Sequence, residues 1–282
     1  MTLHVLRVFT DTDGGYGNPL GVFIEGSSVP ADAHQRVAAD LGFSETVFVE
    51  DAGRGEIRIF TPAAELRFAG HPTVGTAWLL ERIGQPVSAL HPPAGEVVTW
   101  QDGELRWIRA QPAWVHWITL EQLESAAAVE ALEGGPSGDG SYYAWAWIDE
   151  AAGLVRSRYF VPDLGIGEDQ ATGAAAVVLG ARLARPIEIR QGRGSVLHAR
   201  PAADGAVEVG GRCVLDEVRD LLREDVGAED DELGLHQPAA TARITVSTSS
   251  SVSDGCRGNV RVRAANRSAW GTATASTSGF GG

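Results

Sequence analysis

Ile59-Phe60-Thr61-Pro62 leads through a loop into Gly70-His71-Pro72-Thr73-Val74-Gly75-Thr76-Ala77-Trp78-Leu79-Leu80. About one hundred residues later, Tyr159-Phe160-Val161-Pro162 leads through a similar loop into Asp169-Gln170-Ala171-Thr172-Gly173-Ala174-Ala175-Ala176-Val177-Val178-Leu179. Both stretches read as an aromatic strand closed by proline, a loop with acids, a Thr and a Gly, then a helix of small and apolar residues. Thr73 follows Phe60 by 13 residues and Thr172 follows Phe160 by 12, so the chain reads as two similar halves joined near residue 110. Pro72 in a first helical turn gives up no intrahelical hydrogen bond. Glycine and alanine let another backbone or a ligand come close. The free N–H groups and the positive dipole end favour an anion there. If the halves face each other, a small carboxylate fits between the two helix ends; the competing reading of each helix alone is close-packed core.

Outward from the repeat, the apolar pattern predicts many short strands and few helices. Strands are expected at 3–10, 20–25, 46–50, 56–60, 97–100, 105–108, 115–118, 143–148, 154–160, 187–190, 195–200 and 206–209. Helices are expected at 32–41, stopped by Gly42, at 72–83, stopped by Gly84, and at 171–184. This is an α+β chain, divided as an N-terminal half over 1–109, a C-terminal half over 110–216 and a tail over 217–282. The tail is acidic at first (Glu224, Asp225, Glu229, Asp230, Asp231, Glu232), then Ser/Thr/Gly-rich, with too little apolar content to offset its ordering entropy. It is predicted to be poorly ordered and is assigned no function.

Composition narrows the chemistry. With 44% hydrophobic and 21% charged residues among 282, the chain is ordinary for a soluble globular protein of about two domains. Thirty-seven acids against 23 bases give a net charge of −14, which disfavours a nucleic-acid partner. No window approaches the roughly 18 apolar residues of a membrane helix. The N-terminus lacks a basic region followed by an apolar one, so a cytoplasmic location is expected. Every base is arginine; the missing lysine amine excludes a Schiff-base aldolase, a pyridoxal-phosphate Schiff base and a P-loop nucleotidase. Two cysteines imply no disulfide framework, and the scattered histidines give no metal site.

The sequence resembles the PhzF-like (phenazine biosynthesis) family, which shares the diaminopimelate epimerase-like fold. The matching blocks are Val8-Phe9-Thr10 with Gly17-Asn18-Pro19, Gly42-Phe43-Ser44-Glu45-Thr46-Val47-Phe48, Phe60-Thr61-Pro62 through Gly70-His71-Pro72-Thr73, and Glu168-Asp169-Gln170-Ala171-Thr172-Gly173. The resemblance implies two similar α+β domains, each a curled mixed or antiparallel sheet around a central helix, with the active site between them. It implies a cofactor-free isomerase that relocates a proton on a small, often amino-acid-derived substrate. The catalytic glutamate, histidine and aspartate of the family fall on Glu45, His71 and Asp169, and the substrate-cradling loops on Gly70, Thr172 and Gly173. The chain departs from the family at Gln170 (usually Pro), at Ala174 (often Ser) and in the shortened Gln191-Gly192-Arg193-Gly194-Ser195 block.

Residue chemistry gives the same positions alternatives. Moving a proton between carbons needs a carboxylate with a near-neutral pKa, which burial produces. Glu45 lies between Phe43 and Phe48, or is an exposed strand-edge acid. Asp169 relays a proton, holds an amine or caps a helix. His71 stabilises charge or is structural, and Ser44 binds substrate or satisfies a loop. Cys213 and Cys256 are far from either helix start, which argues against a two-thiol epimerase. The expectation is an isomerase of a secondary-metabolite (antibiotic-type) route acting on a small carboxylate. It has no cofactor, metal, nucleic-acid or membrane partner, and a homodimer is the candidate assembly. The rivals are a non-catalytic small-anion binder and a carboxylate-based racemase or epimerase.

Overall fold

A helix that is apolar on every side must be surrounded, and the chain contains two. The computed structural model describes residues 1–115, 118–135, 141–162 and 166–221. The first half runs β1 (Thr2–Thr10), β2 (Asn18–Phe23), α1 (His34–Leu41), β3 (Glu45–Asp51), β4 (Glu56–Phe60), β5 (Glu65–Leu66), α2 (Gly70–Arg82), β6 (Ala89–Leu90), β7 (Val97–Asp102) and β8 (Leu105–Ala110). The second runs β9 (Thr119–Gln122), α3 (Ala126–Glu130), β10 (Tyr142–Asp149), β11 (Leu154–Val161), β12 (Ile166–Asp169), α4 (Gly173–Leu183), β13 (Ile187–Gln191), β14 (Ser195–Pro201) and β15 (Val207–Asp220).

These strands make one continuous mixed sheet in the order β5-β4-β3-β2-β1-β15-β14-β13-β11-β10-β9, with β8 on β15, β7 on β8, β6 on β7 and β12 on β11. In α2 the residues from Gly70 to Ala77 and Leu79–Leu80 are all buried, against β1, β2, β3, β8 and β15. Full burial of Val74, Leu79 and Leu80 is worth about 1.5–3 kcal/mol each. In the second half α4 buries Ala175, Ala176, Val177 and Leu179 against β14 and β15. The outer face of the first half is closed by α1, whose His34, Val37 and Ala38 meet Phe23, Phe48 and Phe60.

The repeat extends into side-chain detail. Arg58 lies 5.0 Å over the Phe60 ring and makes two hydrogen bonds to Glu65, at 2.8 and 2.7 Å. Arg158 lies 4.9 Å over Phe160 and makes the same two to Glu168, at 2.9 and 2.8 Å. That register fixes which positions of the two halves correspond: Thr46 pairs with Phe60, and Tyr142 with Phe160.

The structure differs from expectation at several elements. α2 begins at Gly70, two residues before Pro72; proline remains among the first four positions, whose N–H groups have no helical partner. The strand expected at 115–118 is preceded by a 3-10 turn opened by Pro112, and extended structure comes at Thr119–Gln122; residues 116–117 are outside the described residues. Neither α3 nor β12 was predicted. Residues 217–220, expected in the unordered tail, form the end of β15, paired with β1 from Thr2↔Asp220 to Val5↔Glu217. The rest of that tail, 222–282, lies outside the described residues. Among the described residues, no helix is long and apolar enough to cross a membrane.

Candidate functional site

Glu45 opens β3, held beside Leu20 by parallel pairing with β2. His71 is in the first turn of α2, and Asp169 ends β12, three residues before Thr172, the N-cap of α4. Strand ends and helix starts from both halves thereby converge. His71 Nε2 lies 3.5 Å from Glu45 Oε2, and neither of these buried atoms has a hydrogen-bond partner. Gly70 and Gly173 touch: a Cβ on Gly70 would lie 2.6 Å from the Gly173 Cα. Thr172 Oγ1 donates to Asp169 Oδ2 at 2.6 Å. All the predicted site residues (Ser44, Glu45, Gly70, His71, Asp169, Thr172 and Gly173) come together in this one network.

Two further residues tie it. Asn18, at the start of β2, donates through Nδ2 to Asp169 Oδ1 and, at 3.1 Å, to the Ala171 carbonyl. Its Oδ1 accepts from Ser44 Oγ at 3.0 Å. Gln191 accepts from the Thr172 N–H at 3.1 Å and donates to Thr172 Oγ1 at 2.7 Å and to the Asp169 carbonyl at 2.9 Å. Asn18 stands in a block that carried the resemblance, and Gln191 in one where the chain departs from it. Asn18, though, read as a turn former between Gly17 and Pro19, and Gln191 as part of a shortened loop. Only their long-range partners reveal the role. Removing the Asn18 amide (Asn18→Ala) leaves Asp169 and Ser44 short of a buried partner. The expected loss is about 1–3 kcal/mol of stability, read as a lower melting temperature; an unchanged melt would refute the bridge.

Burial sets the charge states. Glu45 is pushed up to about 7, chiefly because its carboxyl is out of water; a hydrogen bond from Ser44 opposes this. Asp169 is raised to about 6, first by burial and then by the nearby Glu45 charge, with Thr172 and Asn18 pulling it back. His71 is lowered to about 4 by burial, against the attraction of Asp169, so its ring is neutral at pH 7. Asn18 Nδ2 lies 3.4 Å from His71 Nδ1. Both hydrogens of that amide are already directed to Asp169 Oδ1 and the Ala171 carbonyl, and the Pro19 carbonyl is a further hydrogen-bond partner of the ring. A half-ionised carboxyl at neutral pH can both take and return a proton. Among the described residues, no group of three His, Cys, Asp or Glu is arranged to hold a metal ion.

The chain is similar to several known proteins. Residues 6–110 match the family model for phenazine biosynthesis-like (PhzC-PhzF) proteins. The chain is 30% identical over 260 aligned residues to the trans-2,3-dihydro-3-hydroxyanthranilate isomerase of Pseudomonas aeruginosa, covering 69% of this chain and 90% of that one. Among solved structures it is similar to a PhzF-family protein of Bacillus anthracis, with TM-score 0.66, 18% identity, and 79% of this chain and 99% of that one covered. It is also similar to a predicted epimerase of Pseudomonas aeruginosa, with TM-score 0.61, 25% identity, and 78% and 99% covered.

Proposed function

The chain belongs to the phenazine biosynthesis-like (PhzC-PhzF) family and is an isomerase; from that premise we propose that it shifts a proton within a small, unsaturated, amino-acid-derived carboxylate, with Glu45 as the base. One observation carries this reading: an unpartnered, buried Glu45 oxygen stands beside the first turn of α2, on a carboxyl whose pKa is about 7. In the proposed reaction the Glu45 carboxylate takes a proton from a carbon made acidic by conjugation. The C–H electron pair moves into the substrate π system towards its carboxyl group. There the N–H groups and positive ends of α2 and α4, at Gly70 and Gly173, favour the added charge. Glu45, now protonated, returns a proton to a different carbon of the same system. His71 sets its neutral ring beside Glu45, with Nε2 3.5 Å from Oε2. Asp169 holds a substrate amine, and Ser44 and Thr172 orient the two carboxyls. The compound that names the Pseudomonas relatives, trans-2,3-dihydro-3-hydroxyanthranilate, is the first candidate substrate.

Incubating that compound with the protein in D₂O should place solvent deuterium at one ring carbon of the isomerised product, followed by NMR. Recovery of unchanged, unlabelled compound would overturn the substrate. The pH dependence is a second expected result. Glu45 has to be ionised to begin, so kcat/KM should fall tenfold per pH unit below about 7 and level off above it. A rate already flat from pH 5 to 8 would remove Glu45 as the base.

A further inference from the structure

The two halves serve as each other's control. In the first half Ile59 of β4 stands opposite Val47 of β3 and Leu66 of β5. In the second, the corresponding Tyr159 of β11 stands opposite Tyr143 of β10 and Asp169 of β12. An apolar trio is thus replaced by two phenols and a carboxylate on the same inward face. The neighbouring position changes likewise, from Ile57 to Ser157, and the Tyr143 hydroxyl donates to Ser157 Oγ at 2.8 Å. Tyr143 is therefore satisfied within the sheet.

Tyr159 finds its partner in the other strand end, at Ser141. It is 6% exposed, and its hydroxyl bonds the Ser141 side chain, while the charges of both Glu45 and Asp169 act on it. Ser141 precedes Tyr142 as Glu45 precedes Thr46, so it occupies in the second half the place that Glu45 holds in the first. A phenol can make bonds beyond the one to Ser141. The first half shows that isoleucine suits this position in the fold. A hydroxyl kept there, facing the two acids of the site, points to a ligand.

We propose that Tyr159 contacts the substrate, its hydroxyl donating a hydrogen bond to an oxygen substituent, and that it thereby selects hydroxylated over unhydroxylated carboxylates, with Ser141 as the residue that positions it. This rests on the proton-shift reading above and adds the substituent the site recognises. Burial and the two neighbouring acids push the phenol up to about 12, which keeps it a neutral donor throughout the working pH range.

The test is a binding titration of the full chain with two flat, unreactive probes, 3-hydroxyanthranilate and anthranilate. The wild type should prefer the hydroxylated probe about tenfold, the size of one net hydrogen bond, and Tyr159→Phe should abolish the preference while still binding anthranilate equally well. Ser141→Ala should reduce the preference in part and add nothing to Tyr159→Phe in the double variant, which a merely structural serine would not do. If Tyr159→Phe fails to fold, Ser141→Ala reports the same ratio. Binding of both probes with the preference intact in the variants overturns the Tyr159 assignment alone. Binding of neither probe to the wild type overturns the proposed substrate class and this assignment with it.

Discussion

Glu45→Gln is expected to lower kcat by roughly 10³-fold, and at the same time to make the protein more stable above pH 7. The first effect follows from removing the only group that both takes and returns the proton; acid–base catalysis of this kind is worth about 10²–10⁴. The second follows from burial. The Glu45 carboxyl has a pKa of about 7 in the folded protein against an ordinary 4.5, so between those values the folded state binds more protons than the unfolded one. Stability therefore falls as pH rises from 4.5 to 7, and above 7 the full cost of the buried charge is present, about 3 kcal/mol at most. Glutamine is neutral throughout and escapes it. Thermal melts at pH 5.5 and 8.5 should show a gap of several degrees in favour of the variant at the higher pH and a smaller one at the lower. Solvent-deuterium exchange should vanish in the same preparation. A variant that exchanges at the normal rate, or melts lower at pH 8.5, would contradict the assignment. The opposite signs of the two effects matter, since a misfolded variant would lose both activity and stability.

The parts of this site that were legible in sequence are those governed by local chemistry. Gly70-His71-Pro72 and Thr172-Gly173 advertise helix starts because proline fits a first turn and glycine allows a close approach there. The repeat then placed two such starts in one chain. What sequence could not show is whatever depends on partners far along the chain. β15 was foreseen only at 206–209, because Gly210 and Gly211 break its pattern and the charges after Leu215 spoil its alternation. The structure supplies the reason it continues: β1 pairs with it across more than 200 residues, with irregularities at Val5/Leu6 and Val8/Thr10 that absorb the mismatch. Phe9 lies at the second of these in a left-handed conformation (φ 66°), fully buried. Asn18 failed to stand out for the same reason: a turn-forming asparagine and an asparagine bridging two halves look identical until Asp169 and Ala171 are brought to it. The choice between a buried and a strand-edge Glu45 was likewise beyond sequence, since Phe43 and Phe48 flank it in either case.

The contact between the two helix starts gives the other large expected effect. A Cβ added at Gly70 would sit 2.6 Å from both the Gly173 Cα and its carbonyl carbon, and 2.9 Å from the Ala174 nitrogen. One added at Gly173 would sit 2.8 Å from the Gly70 Cα and from the His71 nitrogen. Every one of these neighbours is backbone, so no side chain can swing away and the helices themselves must separate. Overpacking of this sort costs about 1–3 kcal/mol, or several degrees of melting temperature in a chain of this size. Because His71 and Thr172 ride on the displaced turns, Glu45, His71 and Asp169 lose their mutual spacing. A displacement approaching 1 Å can lower a rate about 10²-fold. Gly70→Ala and Gly173→Ala should each show both losses, whereas Gly134→Ala, with nothing within 4 Å of its added Cβ, should show neither. The double variant discriminates further. Both methyls wedge open one contact, so the separation forced by the first accommodates much of the second, and the combined destabilisation should be less than the sum of the two. Simple additivity, or full activity in either single variant, would mean that the two helix starts do not share the contact on which the site's spacing depends.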